Sequence, residues 1–172
     1  MTKITLINDD ISKLKVDCIV NAANNELIRG GGVDGCIRMN AGLDIEKEIS
    51  DYRNKNDNLK TGECFITNGY ELLCKYVIHT VGPYYGAENG REKELLINCY
   101  LNSLKLAKEY NIKTIAFPNI STGVFRYPKE DACKIAIETV RNFIKNDNCF
   151  DEIIFVSFWS RDFEMYKQEL EK

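Results

Sequence analysis

Residues 29–36 read Arg29-Gly30-Gly31-Gly32-Val33-Asp34-Gly35-Cys36. Gly30, Gly32 and Gly35 spell G-x-G-x-x-G, the glycine spacing of a dinucleotide-binding turn. Two features resist that reading. In such a turn the glycines follow a strand at once, whereas the strand-like run Val16-Asp17-Cys18-Ile19-Val20 ends ten residues before Gly30. The second feature is Asp34, a carboxylate inside a loop that should welcome phosphate. There is also no G-K-[ST], so the loop is not a P-loop. What survives is simpler. Three adjacent glycines ahead of a helical stretch let backbone N–H groups approach an anion at a helix N-terminus; otherwise the segment is a flexible surface loop. Asp34 either favours the helix dipole, worth about 0.3–1 kcal/mol, or accepts hydrogen bonds from ligand hydroxyls and orients a water beside the phosphates.

Outward from this loop the elements alternate. Residues 3–7 (KITLI), 16–20 (VDCIV), 63–67 (ECFIT) and 75–81 (KYVIHTV) read as strands. Short helical pattern follows the glycines to about Asn54. Residues 92–110 predict a helix whose apolar stripe is Leu96, Cys99, Tyr100, Leu104, Ala107 and Tyr110. TIAFP (114–118) and EIIFVSF (152–158) are too uniformly apolar to have a wet face. Pro128 suits the first turn of a helix striped by Ala132, Ala136, Val140 and Phe143, and Phe163, Tyr166 and Leu170 mark a closing helix. Apolar strands between amphipathic helices imply an α/β sheet covered on both faces. Such sheets bind ligands in the crevice at the carboxyl ends of their strands. The loops after Val20, Pro118 and Phe158 are therefore where chemistry is expected.

The 172 residues suit one domain, 1–172, with no composition break or repeat. A net charge of −3, with acids and bases interspersed, gives no basic face and argues against strong nucleic-acid binding. The N-terminus MTKITLINDD lacks the apolar run of a signal peptide, and no stretch approaches the roughly 18 apolar residues of a spanning helix. The chain reads as cytoplasmic, with no membrane partner. Seven cysteines form no C-x-x-C, and His79 is the one histidine. The thiols read as free and mostly buried, and no zinc-ligand spacing is present. His79 alternates with Val77 and Val81 on a buried face and reads as structural.

Three further stretches carry candidates. Asn21-Ala-Ala-Asn24-Asn25 follows a buried strand; asparagines there serve a turn or read sugar hydroxyls as neutral donors and acceptors. Asn119-Ile-Ser121-Thr122-Gly123-Val124-Phe125 joins a buried strand to the Pro128 helix and offers a second anion grip. Phe125 is a core plug or a platform for a ring. Two such loops suit a diphosphate better than a single phosphate. Asp9-Asp10 is a solvated turn or an acceptor for an exocyclic amine, and Phe158-Trp159 offers apolar faces to a base.

Together NDDISKLKVDCIVNAAN, GGGVDGCIRMNAG, TGECFITNGY, KYVIHTVGP and FPNISTGVFRYP resemble, in order and spacing, a macrodomain of the MacroD type, the ADP-ribosyl hydrolases. The resemblance spans essentially the whole chain. It implies a three-layer α/β/α sandwich with a mixed, mostly parallel sheet. It further implies that Asp10 accepts from the adenine amine with Ile11 beside it, and that Phe158 lines the adenine face. Gly30, Gly31, Gly32 and Val33 would grip the diphosphate together with Ser121, Thr122, Gly123, Val124 and Phe125. Asn24 and Asp34 would meet the distal ribose as the catalytic pair, Phe125 would pack on that sugar, and Asn21 would support the loop. The implied activity is removal of mono-ADP-ribose from acidic side chains of proteins and deacetylation of O-acetyl-ADP-ribose, without metal or cofactor. The alternative is a module that binds ADP-ribose without acting on it. This chain departs from the family pattern at Asp9, where glycine is common, and at Arg38, where histidine is common. Asp34 and Arg38 stand i, i+4 in the favourable order for an ion pair. Such a pair makes the carboxylate a weaker base and points to Asp34 as an orienter of ribose and water.

Overall fold

A computed structural model describes all residues, Met1–Lys172. In chain order the elements are β1 (Lys3–Asn8), β2 (Cys18–Ala23), α1 (Gly32–Ala41), α2 (Leu43–Lys55), β3 (Cys64–Asn68), β4 (Tyr76–Val81), α3 (Glu92–Glu109), β5 (Thr114–Phe117), α4 (Lys129–Asn146), β6 (Glu152–Ser157) and α5 (Ser160–Leu170), with a short helical turn at Ile11–Lys13. The six strands lie in the order β1-β6-β5-β2-β4-β3. All neighbours are parallel except β3, which runs antiparallel to β4. The sheet is thus mixed and mostly parallel.

Each face carries its own core. One joins Leu96, Tyr100, Leu104, Phe117, Ile135, Val140, Phe155 and Tyr166 beneath α3, α4 and α5. The other joins Ile19, Ala23, Ile37, Ile45, Ile49, Val77, Val81 and Ala116 beneath α1 and α2. Helices on both faces make the α/β/α sandwich and explain why β2, β4, β5 and β6 are buried on both sides. Full burial of one such side chain stabilises by roughly 1.5–3 kcal/mol. No helix is long and apolar enough to cross a membrane.

Three details differ from the sequence pattern. β2 continues past Val20 to Ala23, so Asn21 lies inside the sheet and is fully buried. The helical stretch after the glycines is two helices, broken at Gly42 with φ 89°. That positive φ is backbone that glycine adopts without strain and L side chains rarely do. Tyr110, expected in the α3 stripe, follows the last turn and is exposed, packed edge to face on Tyr76 with ring centroids 5.4 Å apart.

Candidate active site

Every parallel strand delivers a loop to the same edge of the sheet. Across that edge stand Asp10 after β1, Phe158 after β6, the 119–127 loop after β5, the 24–32 loop after β2, and Tyr84 after β4. The loops that carry the residues expected to bind ligand therefore share one edge of the sheet, where open α/β sheets have the crevice that takes ligands.

Two segments of this crevice present unpaired backbone N–H groups. The first is the start of α1. Gly31 caps the helix with no side-chain acceptor, Gly32 has φ 55°, and the N–H groups of Gly31, Gly32, Val33 and Asp34 donate to nothing in the chain. A helix start leaves such donors by construction, and this one lies at the carboxyl-end edge of the sheet. The second is Ser121–Phe125, where all five N–H groups are likewise free. That loop is closed by other bonds: Tyr127 N–H donates to Ser121 O at 2.8 Å, Arg126 N–H to Gly123 O at 3.0 Å, and Thr122 Oγ1 to Asn119 O at 3.2 Å. Positive φ at Ser121 (67°) and Arg126 (62°) turns the loop back on itself. Successive N–H groups in such a turn form an anion-binding concavity. The loop rests on Gly82, where a Cβ would come within 2.1 Å of Ser121 Oγ. Phe125 is half-buried and stacks obliquely on Tyr84 at 5.4 Å.

Asn24 and Asp34 converge on Gly30, whose Cβ position lies 3.6 Å from Asp34 Oδ2 and 3.8 Å from Asn24 Nδ2. The Asn24 carboxamide closes its own turn, donating to Ile28 O at 2.8 Å and accepting from Ile28 N–H at 3.1 Å. Asp34 is only 5 % exposed and accepts three hydrogen bonds. Asn21 Nδ2 (2.7 Å) and Arg38 Nε (3.1 Å) donate to Oδ1, and Gly30 N–H (2.7 Å) donates to Oδ2. The expected i, i+4 pair is therefore present and buried. Arg38 also donates to Glu46 Oε2 at 3.0 Å and to Leu27 O at 2.9 Å, binding α1 to α2 and to the turn before the glycines. The Asp34 carboxylate is thus held by three donors, one of them the Arg38 guanidinium that it shares with Glu46.

Behind Asp34 lies a polar row that the motifs did not reveal. β2 and β4 are registered so that Asn21 pairs with His79, and Asn21 Nδ2 lies 3.1 Å from His79 Nδ1. His79 Nε2 lies 2.9 Å from Thr67 Oγ1 on β3. The ring is fully buried and stacked on Phe65 at 4.8 Å. Burial, with the positive Arg38 nearby, pushes the imidazole pKa down to about 3. The pairing of β4 with β2 on one side and β3 on the other was the signal for this row, and no strand alone carries it.

At the other end, Asp10 is half-buried. Its Oδ1 caps the short turn, accepting from Ser12 N–H at 2.9 Å and Ser12 Oγ at 2.6 Å. Ile11 is buried in the core beneath α1. Phe158 and Trp159 are 60 % and 65 % exposed, packed edge to face at 4.9 Å. Two cavities, of about 440 and 480 Å³, open elsewhere, beside the α2 C-terminus and between the outer faces of α3 and α4. The first touches the loop after β2 at Glu26, Leu27 and Ile28, and neither reaches the unpaired N–H groups of Gly31–Asp34 or Ser121–Phe125.

Two runs of free N–H groups at one sheet edge, with Asp34 bonded to the buried Asn21 and Asn24 close by, characterise the site. The chain belongs to the macro domain family, which it matches over residues 20–136. It is 49 % identical over 170 residues to human ADP-ribose glycohydrolase MACROD2, an alignment covering 98 % of this chain and 39 % of that protein. It thus spans about two-fifths of the human relative. A macro domain-containing protein of Caldanaerobacter subterraneus subsp. tengcongensis is 46 % identical, with 99 % of this chain and 97 % of that one covered. Among solved structures, the Oceanobacillus iheyensis macrodomain with ADP superposes with a TM-score of 0.94 at 40 % identity, covering 96 % of this chain and 88 % of the other.

Proposed function

We propose that the chain binds ADP-ribose along the crevice and hydrolyses ester linkages of its distal ribose, releasing mono-ADP-ribose from acidic side chains and acetate from O-acetyl-ADP-ribose. One observation carries the reading: two runs of unpaired N–H groups flank the crevice beside Asn24 and Asp34. Such donors suit the two phosphates of a diphosphate. The human relative's name, ADP-ribose glycohydrolase, and the ADP in the Oceanobacillus structure support the same ligand class.

In this reading the α1 start and the 121–125 loop hold the diphosphate, Asp10 accepts from the adenine amine, and Phe158 covers the base. Phe125 packs on the distal ribose. Asn24 and Asp34 orient its hydroxyls and a water. Asp34 already accepts from Asn21, Gly30 and Arg38, so it acts as a fixed acceptor rather than a proton store. Water adds at the ester carbonyl or at the ribose carbon bearing the ester. The ester C–O bond breaks, and the acid and a free ribose hydroxyl result. Placement of water and ester can supply several kcal/mol, up to about 7–11 in ideal cases.

The test is incubation with glutamate-linked mono-ADP-ribosylated protein and with O-acetyl-ADP-ribose, following free ADP-ribose. Release from both is expected. Tight ADP-ribose binding with no release from either would make the chain a reader module.

A further inference from the structure

The polar row behind Asp34 has a single direction. Asn21 Nδ2 is the atom facing both Asp34 Oδ1 (2.7 Å) and His79 Nδ1 (3.1 Å). An amide nitrogen only donates, so His79 Nδ1 must be the bare, accepting nitrogen. Nε2 then carries the proton and donates to Thr67 Oγ1 at 2.9 Å. The Thr67 hydroxyl is free to donate onward, and Asn68 O lies 3.1 Å from it. Hydrogen bonds therefore run with one polarity, from Asn21 into the ring, out to Thr67, and on to a backbone carbonyl. The second proton of Asn21 Nδ2 goes to Asp34.

The Asn21 amide needs this partner. Its Oδ1 is buried without a hydrogen-bond partner, so its orientation rests on the two contacts of Nδ2. Flipped, it would set Oδ1 against the carboxylate and against the lone pair of His79 Nδ1. A ring protonated at Nδ1 would instead favour the flip and turn the amide oxygen toward Asp34.

We infer that His79 is a positioning residue of the ADP-ribose site: its Nε2–H tautomer fixes the Asn21 amide, and the amide fixes the Asp34 carboxylate. The inference rests on the crevice being that site. Burial and Arg38, which disfavour the imidazolium, keep the ring neutral, as the row requires. Thr67 Oγ1 accepts the Nε2 proton on the far side.

The chain has one histidine, so ¹⁵N-labelled histidine reports on His79 alone. At neutral pH a protonated Nε2 and a bare Nδ1 are expected; an imidazolium or the Nδ1–H tautomer overturns the inference. Three variants separate the contacts. His79→Asn places an amide oxygen near the Nδ1 position, His79→Gln near Nε2, and His79→Phe keeps a flat ring on Phe65 with neither. With the fold checked by circular dichroism, ADP-ribose release from glutamate-linked substrate should fall about 10- to 100-fold in the Gln and Phe variants, the range for losing a partner that orients a functional group. ADP-ribose Kd should change far less, and His79→Asn should recover most of the rate. Equal rates in all four proteins, or equal loss in the Asn and Phe variants, overturns the inference. A wild type that binds ADP-ribose and releases none sinks the hydrolase reading instead. The histidine spectrum then decides this inference together with the Asn21 side-chain amide, whose two N–H signals should be split and slow to exchange in wild type and His79→Asn. Equally sharp, protected signals in His79→Phe would overturn it.

Discussion

The two ends of the crevice are built differently. At the Asp34 end, Asn21, Asp34, Arg38 and His79 are all at most 5 % exposed, and three of the carboxylate's bonds are made before any ligand arrives. At the Phe158 end, two aromatic rings stand mostly in solvent, and Asp10 spends one oxygen on its own turn while the other is free of recorded bonds. The difference teaches where accuracy is needed. In the proposed reaction an ester must meet water and a carboxylate within fractions of an ångström, whereas a purine needs only a face and one acceptor. Substitutions should accordingly affect stability and rate at the first end, and affinity alone at the second.

The sharpest break in this contrast is Arg38→Ala. It removes the one cation from a buried group holding Asp34 and Glu46 and strips a donor from Leu27 O. Breaking a buried pair from one side costs about 3–5 kcal/mol, so urea unfolding should show a loss of that size. A loss under about 1 kcal/mol would mean that water replaces the guanidinium and that this end is less enclosed than it stands. The same end should carry pH sensitivity. The His79 pKa is depressed in the folded chain, so on acidification the unfolded chain takes up a proton that the folded one refuses. Wild-type stability should therefore be full above about pH 6.5 and fall progressively toward pH 3. Titrated alongside, His79→Phe should lack that component, and identical pH profiles would place the ring's titration elsewhere.

Asp34 comes next. Asp34→Asn keeps the shape but exchanges an acceptor for a donor facing Gly30 N–H or Arg38. Single-turnover release of ADP-ribose should drop by at least ~100-fold, within the range for lost transition-state groups, while ADP-ribose affinity moves far less. Undiminished release would return Asp34 to a helix-dipole role.

How much of this was legible beforehand follows the same division. Strand and helix periodicity gave the layers, because each element's apolar pattern is local. The two loops with unpaired N–H groups were legible as loops because glycine and the strand-to-helix junction are local as well. The Asp34–Arg38 pair was legible because i, i+4 neighbours meet on any helix. The Asn21–His79–Thr67 row was not, because it joins three strands through registers set by packing across the sheet. It also required β2 to run on to Ala23, where asparagine propensity favours a turn and central-sheet pairing with β4 outweighs it. Tyr110 illustrates the reverse: its spacing fits the α3 stripe, but the helix ends at Glu109.

At the open end, Asp10→Ala should weaken ADP-ribose binding by about 1.5–3 kcal/mol, the range for a hydrogen bond to a charged group, and leave ribose 5-phosphate untouched. Asp10→Asn separates the two uses of the side chain. It preserves an oxygen for Ser12 N–H and replaces the other with a donor that faces the adenine amine. If Asn binds like wild type, the carboxylate serves the turn and the adenine is read by something else.

The smallest effect is expected at Phe158. Its ring is 60 % exposed and braced only by the edge of Trp159, so stacking on a base would add the modest term of an aromatic pair, about 0.5–1.5 kcal/mol. Phe158→Ala should weaken ADP-ribose by that amount in calorimetry. It should leave the melting temperature unchanged, since the side chain buries little in the free protein, and leave the single-turnover rate unchanged at saturating substrate, since the base lies at the far end from the ester. Trp159→Ala measured alongside tells which ring meets the base. If Phe158→Ala leaves affinity intact and Trp159→Ala does not, adenine stacks on the indole. If either variant lowers the saturated rate as much as Asp34→Asn does, the two ends of the crevice are coupled and the contrast between them fails.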